Sequence, residues 1–305
     1  MRKKQKLLVG VILLAVLTVI AVRFLLNSNI AVLQPAGVIG QKERNLMILV
    51  TLLCLIVVLP VFAMTIYIAL KYREGNKSAK YHPNWDHNLK IESVWWGIPL
   101  IIIAILAVVA WNSSHDLDPF KALNSNVRPL NVQVVALPWK WLFIYPQQSI
   151  SMVNYLEIPM NTPINFQITA DAPMNSFWIP QLGGQIYAMS GMSTELHLMS
   201  DKAGMYTGRS ANISGRGFAG MQFKVKSTSS ADFSGWVASV KESPNKLSFD
   251  NYSKLALESE NNPVAYYSST ADNLFDNVIM KYMEPGHQMG SPSDNSTVME
   301  HNFYH

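Results

Sequence analysis

Hydrophobic and polar positions divide this chain into two materials. Up to about residue 111 apolar residues come in long unbroken runs, and beyond it they alternate with polar ones in short stretches. The run from Leu46 to Leu70 holds no charge. At 1.5 Å per residue it reaches about 37 Å, longer than a bilayer core of about 30 Å. Pro60 lies mid-run, which a membrane helix tolerates when neighbouring helices cover the freed carbonyl. Val94–Trp111 is a second such run, with Trp95, Trp96 and Trp111 at its two ends, where aromatic belts form. An earlier run, Leu7–Leu26, follows the basic start Arg2-Lys3-Lys4 and is broken by Thr18 and Arg23. It reads either as a signal sequence removed after export or as a retained span. No small-x-small cleavage site stands out, which favours retention.

From Asn112 to Arg128 the chain is a polar linker, and then the period changes to two. Val132–Ala136, Trp141–Tyr145, Ile164–Ile168, Glu195–Met199 and Gln222–Lys226 predict short strands, some separated by turns such as Gly183-Gly184 and Lys202-Ala203-Gly204. Strands without intervening helices predict an all-β sandwich. Beyond Ser227 the period lengthens again. Phe233, Trp236, Val237 and Val240 share one helical face, and Leu274, Phe275, Val278, Ile279 and Tyr282 make a second amphipathic stretch. Residues 284–305 have the composition of a disordered tail.

Composition sharpens this reading. Of 305 residues, 49% are hydrophobic and 14% charged, an apolar excess concentrated in the first third. The net charge is +4, with the basic residues clustered at Arg2–Lys6 and across Lys71–Lys90. No basic face is interleaved with aromatics, so nucleic acid is not an indicated partner. The positive-inside rule instead puts Lys71–Lys90 in the cytoplasm and both outer ends of the hairpin in the periplasm. The single cysteine, Cys54, excludes an intrachain disulfide and reads as a small buried hydrophobe. His82 and His87 are five apart across Pro83, which does not match helical ligand spacing, and His197 is a single strand residue. His287, His301 and His305 fall in the polar tail. No phosphate loop, nucleophile elbow or Ser-His-Asp spacing is present.

The stretch Ala172–Lys226 carries the most specific pattern: MNSFWIP, then LGGQIYAMSGM, then SGRGFAGM. From about Leu25 to about Met283 the chain resembles subunit 2 of the haem–copper respiratory oxidases. In the cytochrome c-oxidising branch a His precedes S-F-W-x-P, and C-S-E-x-C-G-x-x-H-x-x-M completes a binuclear copper site. The resemblance puts those six positions on Asn175, Ser210, Asn212, Ser214, Phe218 and Met221. Only Met221 offers a soft donor, and one thioether cannot hold copper. The pattern matches the quinol-oxidising branch, the cytochrome bo-type ubiquinol oxidases, whose subunit 2 lost this metal.

The resemblance implies a cupredoxin-like sandwich behind a transmembrane hairpin, an α+β membrane protein with C-terminal helices. Its divisions are 1–26 (signal or span), 27–112 (hairpin, with cytoplasmic loop 71–90), 113–228 (periplasmic sandwich), 229–283 (helical extension) and 284–305 (tail). It implies a role within a bacterial inner-membrane complex that oxidises ubiquinol, reduces O₂ to water and pumps protons. Haems and a catalytic copper belong to subunit 1, with subunits 3 and 4 and the lipid bilayer as further partners. No cofactor and no catalytic residue are expected in this chain, which acts in assembly and stability. Glu92, in KIESVWWGIP, falls where the family has a carboxylate near the mouth of a proton pathway. Apart from the resemblance it reads as an interfacial carboxylate. Related quinol oxidase subunits carry a lipidated Cys where this chain has Ser28, and a serine has no thiol to acylate. Trp139–Tyr145 matches an aromatic electron-entry segment of the cytochrome c branch, but its residues read as packing. Two alternatives remain: a membrane-anchored periplasmic binding module with no oxidase role, and a copper electron-transfer subunit.

Overall fold

The structure, a computed structural model, describes residues 23–24, 30–76 and 87–283. Most of the segment 1–26, Ser28, His82 and the histidines of 284–305 lie outside the described residues.

Two long helices come first, α1 (Val38–Lys71) and α2 (Leu89–Asp116). Both extend past their apolar runs, α1 mainly at its start (residues 38–45) and α2 at both ends. Pro60 lies inside α1 and Pro99 inside α2. Leu52, Leu59, Phe62 and Ile66 on α1 and Trp96, Leu100, Ile103 and Val108 on α2 are more than half exposed. Each helix is long and apolar enough to cross a membrane. Helices that expose such apolar side chains among the described residues need lipid or a partner to cover them.

The strands follow as β1 (Leu130–Leu137), β2 (Lys140–Tyr145), β3 (Ile150–Val153), β4 (Tyr155–Pro159), β5 (Ile164–Ala170), β6 (Asn175–Trp178), β7 (Gln185–Ala188), β8 (Thr194–Leu198), β9 (Gly204–Ser210), β10 (Gln222–Thr228) and β11 (Ala265–Tyr267). They form a six-stranded sheet, β11-β3-β2-β1-β5-β8, and a five-stranded one, β4-β10-β9-β6-β7. β1 pairs antiparallel with β2 but parallel with β5, and β10 pairs parallel with β4.

Val132, Val134, Ala136, Trp141, Phe143, Phe166, Phe177 and Phe223 fill the space between the sheets. Phe177 and Phe223 stack at 5.3 Å with their rings 9° apart, and Trp141 meets Phe177 edge-on at 5.4 Å. The aromatic run Trp141–Tyr145 is therefore packing.

The chain after β10 forms α3 (Ser230–Lys241), α4 (Phe249–Leu255) and α5 (Leu274–Met283), with β11 between α4 and α5. Ser229 and Ser248 cap α3 and α4 by accepting from Asp232 N and Asn251 N. A second core lies on the outer face of the large sheet, where Val135, Leu137, Leu142 and Ile144 meet Leu247, Tyr252, Leu274, Phe275 and Val278. β1 and β2 are thus covered on both faces.

The start of α1 is clamped to the sandwich. Ala36 N donates to Gln181 O (2.7 Å), Gly40 N to Leu182 O (2.9 Å) and Asp201 N to Ala36 O (2.9 Å). Gly184 N donates to Glu43 Oε1 at 2.9 Å, and Gln41 Nε2 donates to Asp201 Oδ2. Gly183 adopts φ +90°, and a β-carbon on it would lie 2.6 Å from Gly40 N. Only glycine permits both that backbone angle and that approach.

Candidate functional site

β6 and β9 are neighbours in the small sheet, with Phe177 opposite Ser210. The chain leaves β9 at Ser210, loops through a 3₁₀ turn at Phe218–Gly220 and returns into β10. This arrangement joins Asn175, Ser210, Asn212 and Met221 of the positions matched to the copper motif, with Ser214 and Phe218 on the connecting loop. Asn175 and Met221 are each 1% exposed and Ser210 is 4% exposed.

Asn175, Ser210 and Asn212 hydrogen-bond to one another and to the backbone, whereas the buried Ser214 Oγ has no partner among the described residues. Ser210 Oγ donates to Asn175 Oδ1 at 2.9 Å and lies 3.2 Å from Asn212 O. Asn175 Nδ2 donates to Pro173 O at 2.8 Å and Asn212 Nδ2 to Met174 O at 2.9 Å. Ser210 N donates to Met221 O at 3.2 Å, and Ser176 N to Ser210 Oγ at 3.4 Å. Trp139 closes the loop from outside. Its indole Nε1 donates to Ser214 O at 3.1 Å, and Arg216 lies over its ring, 5.9 Å from the centroid, while pairing with Glu260 at 2.7 Å. Gly217 lies so close under the indole that a β-carbon there would come within 2.5 Å of it. Among the described residues no group of three or more His, Cys, Asp or Glu could hold a metal ion.

Glu92 belongs to a different place. It sits in the first turn of α2, about 36 Å along the helix from Asp116 at 1.5 Å per residue. Asn88 is the N-cap, accepting from Ile91 N at 3.2 Å, and Glu92 Oε1 in turn accepts from Asn88 N at 2.9 Å. The same oxygen lies 2.7 Å from His87 Nδ1. The structure therefore does not join Glu92 to the loop site. The sequence does carry a signal for this cap, an Asn followed four residues later by a Glu.

Three buried polar sites went unread in the sequence. Asp171, 5% exposed at the end of β5, accepts from Tyr252 OH (2.8 Å), Lys281 Nζ (2.7 Å) and Tyr282 OH (2.5 Å). It ties α4 and α5 to the sandwich. Burial first, then the bond to Asp171, pushes the Tyr282 phenol up to about 12. Glu157 is fully buried, accepts from Tyr155 OH at 2.6 Å and pairs with Lys226 at 3.3 Å. Burial first, then that bond, raises the Tyr155 pKa. Lys140, 1% exposed, donates to Leu257 O at 2.7 Å and to Ser259 Oγ, and burial lowers its pKa. His197 is packed on β8, where burial lowers its pKa against the smaller opposing pull of Glu195.

A two-layer sandwich with this loop behind two membrane-type helices defines the class, subunit II of the haem–copper oxidases. Residues 124–228 match the family described as "Cytochrome C oxidase subunit II, periplasmic domain", and residues 241–286 match "COX Aromatic Rich Motif". The cytochrome bo(3) ubiquinol oxidase subunit 2 of Pseudomonas putida is 49% identical over 92% of this chain and 89% of that protein. The ubiquinol oxidase subunit 2 of Acetobacter aceti is 47% identical over 92% of this chain and 91% of that protein. The crystal structure of the periplasmic domain of subunit II of cytochrome oxidase of Bradyrhizobium japonicum is 21% identical, covering 39% of this chain and 96% of that one at a TM-score of 0.37. This chain belongs to the ubiquinol oxidase subunit 2 family.

Proposed function

We propose that this chain is the copper-free, non-redox subunit of a bacterial inner-membrane complex that oxidises ubiquinol, reduces O₂ to water and pumps protons. Its hairpin packs against subunit 1, which holds the haems and the catalytic copper, and subunits 3 and 4 complete the assembly. The sandwich caps the complex on the periplasmic side, and the basic stretch Lys71–Lys90 faces the cytoplasm. The chain divides as 1–26, 27–112, 113–228, 229–283 and 284–305.

One observation carries the reading. Soft copper centres need thiolate and imidazole donors. The six matched positions offer two carboxamides, two hydroxyls, a phenyl ring and a thioether. Asn175, Ser210 and Asn212 already use their side chains in hydrogen bonds to each other and to the backbone. This donor set does not fit a copper pair. Electrons therefore pass from quinol through subunit 1, and this chain contributes assembly and stability. Native mass spectrometry of the chain released from the purified complex tests this. The expected mass is that of the metal-free polypeptide, and a copper-loaded mass overturns the proposal.

Glu92 supplies proton entry on the cytoplasmic side. Its position at the start of α2, with a carboxylate oxygen 2.7 Å from the exposed His87 imidazole, supports that role. Replacing Glu92 by Gln keeps an acceptor for Asn88 N but removes the titratable group. Proton uptake by that variant complex is expected to slow by about a hundredfold, within the range of lost acid–base groups. An unchanged rate removes Glu92 from the pathway.

A further inference from the structure

We infer that Tyr155 is a redox-active tyrosine, a one-electron donor to oxidising radicals that gives its proton to Glu157 and so spares the indole of Trp236. Two features meet at this residue. The first is a base at the phenol. Oxidising a phenol at neutral pH expels its proton, so a carboxylate already bonded to the hydroxyl makes the electron easier to remove. Tyr155 OH donates to Glu157 Oε2 at 2.6 Å, the length of a charge-assisted O–H···O⁻ bond. Glu157 is fully buried, and its other oxygen lies 3.3 Å from Lys226 Nζ, which leaves Oε2 to the phenol. Burial first, then the bond to Glu157, raises the Tyr155 pKa, so at rest the proton stays on the phenol.

The second feature is a train of rings drawn from four elements. Tyr145 of β2 lies 5.7 Å from Trp236 of α3, Trp236 lies 6.1 Å from Tyr155 of β4, and Tyr155 lies 5.7 Å from Tyr266 of β11, measured between ring centroids. Electrons pass readily between rings this close. Tyr145 is fully buried, whereas Trp236, Tyr155 and Tyr266 are half-buried and reach solvent. An oxidant in water therefore meets the train at its half-buried members, and the electron vacancy settles where a base takes the proton. Tyr145 does not compete, because its hydroxyl donates to the Glu157 backbone carbonyl at 2.6 Å, and a carbonyl is too weak a base to keep a proton. Tyr252 and Tyr282 donate to the Asp171 carboxylate, but among the described residues no ring contact joins them to this train.

The oxidants are peroxyl-type radicals, a class that oxygen chemistry produces. The radical takes one electron from the Trp236 ring and leaves as the hydroperoxide once water has protonated it. Trp236 is refilled by one electron from Tyr155. The Tyr155 O–H bond breaks, its proton forms an O–H bond at Glu157 Oε2, and a neutral phenoxyl radical remains. One electron from a reductant of the quinol or enediol class, with return of the proton from Glu157, restores the phenol.

The test exposes the purified complex to peroxyl radicals from a water-soluble azo initiator. Electron paramagnetic resonance of frozen samples reads the radical, and peptide mass spectrometry reads oxidation of Trp236. The wild-type complex is expected to show a tyrosyl signal that is lost from Tyr155→Phe and from Glu157→Gln. Oxidised Trp236 is expected to rise by about tenfold in both variants, the rate effect of losing one hydrogen bond to a charged acceptor. A bond that only holds β4 in place would change neither reading in this way. A tyrosyl signal of wild-type size in Tyr155→Phe overturns the inference, whichever other tyrosine carries it. Trp236 oxidation at the wild-type level in that variant overturns it as well, and so does a wild-type signal in Glu157→Gln. Tyr155→Phe keeps the ring in the train and removes only the hydroxyl, so it is decisive even where Glu157→Gln does not assemble.

Discussion

Asp171 shows how one side chain can organise a region. Its carboxylate collects two phenols and an ammonium from partners 81, 110 and 111 residues away. A buried carboxylate is costly unless each lone pair is used, and here the C-terminal helices supply the donors. Asp171→Asn keeps the shape and loses the charge. It is expected to cost about 2 kcal/mol at α5, typical of a charged hydrogen bond. Hydrogen exchange of the α5 amides would then speed by about thirtyfold with β1 and β2 unaffected. The matched copper positions were legible because their chemistry is a property of residue type: no fold turns Ser210 or Asn175 into a thiolate or an imidazole. Asp171 was not legible, because nothing local marks which distant donors will meet it.

At the scale of elements, the sequence marks β1, β2, β5, β8 and β10 as strands, but it does not show that β1 and β2 are covered on both faces. β5 alternates Phe166 and Ile168 with Asn165 and Gln167, and its period of two is plain in the sequence. β2 is buried at every position, with Trp141, Phe143 and Tyr145 facing the small sheet and Leu142 and Ile144 facing the C-terminal helices. The short β11 was missed within a stretch read as helical, since a three-residue strand is stabilised only by what it docks on. That dependence gives a pH prediction for α5. The folded state raises the Tyr282 phenol from 10 to about 12, so it holds that proton more tightly than the unfolded state does. The stability this contributes is whole below pH 10 and is lost as pH rises from 10 to about 12. Alkaline titration of the complex should show tyrosinate absorbance growing together with loss of amide protection across Leu274–Met283.

At the scale of the whole molecule, the clamp between α1 and the sandwich sets how the outer domain stands on its membrane helices. It is built from backbone atoms of Ala36, Gly40, Gln181 and Leu182, so it depends on close approach more than on side-chain identity. Gly183→Ala puts a β-carbon 2.6 Å from Gly40 N and 2.9 Å from Glu43 Oε2, at φ +90°. Backbone strain of that kind costs about 1–3 kcal/mol before any displacement of α1. The purified complex is expected to lose about 4 °C or more in thermal stability. An unchanged melting temperature would mean that the clamp does not hold the domain.

The sequence alone determined two apolar helices long enough to cross a membrane, the β character of the outer domain and the lack of thiolate and imidazole at the matched positions. Each is a matter of run length, period or residue type, and each survives any arrangement of neighbours. Tertiary structure decided the rest. It covered the large sheet on both faces, paired β4 with β10 and β1 with β5, and closed the loop under Trp139. It also brought Tyr252, Lys281 and Tyr282 to Asp171. The reason is common to all of these: burial, strand pairing and polar satisfaction are relations between distant parts of the chain, and a local pattern carries no record of them until the chain has folded.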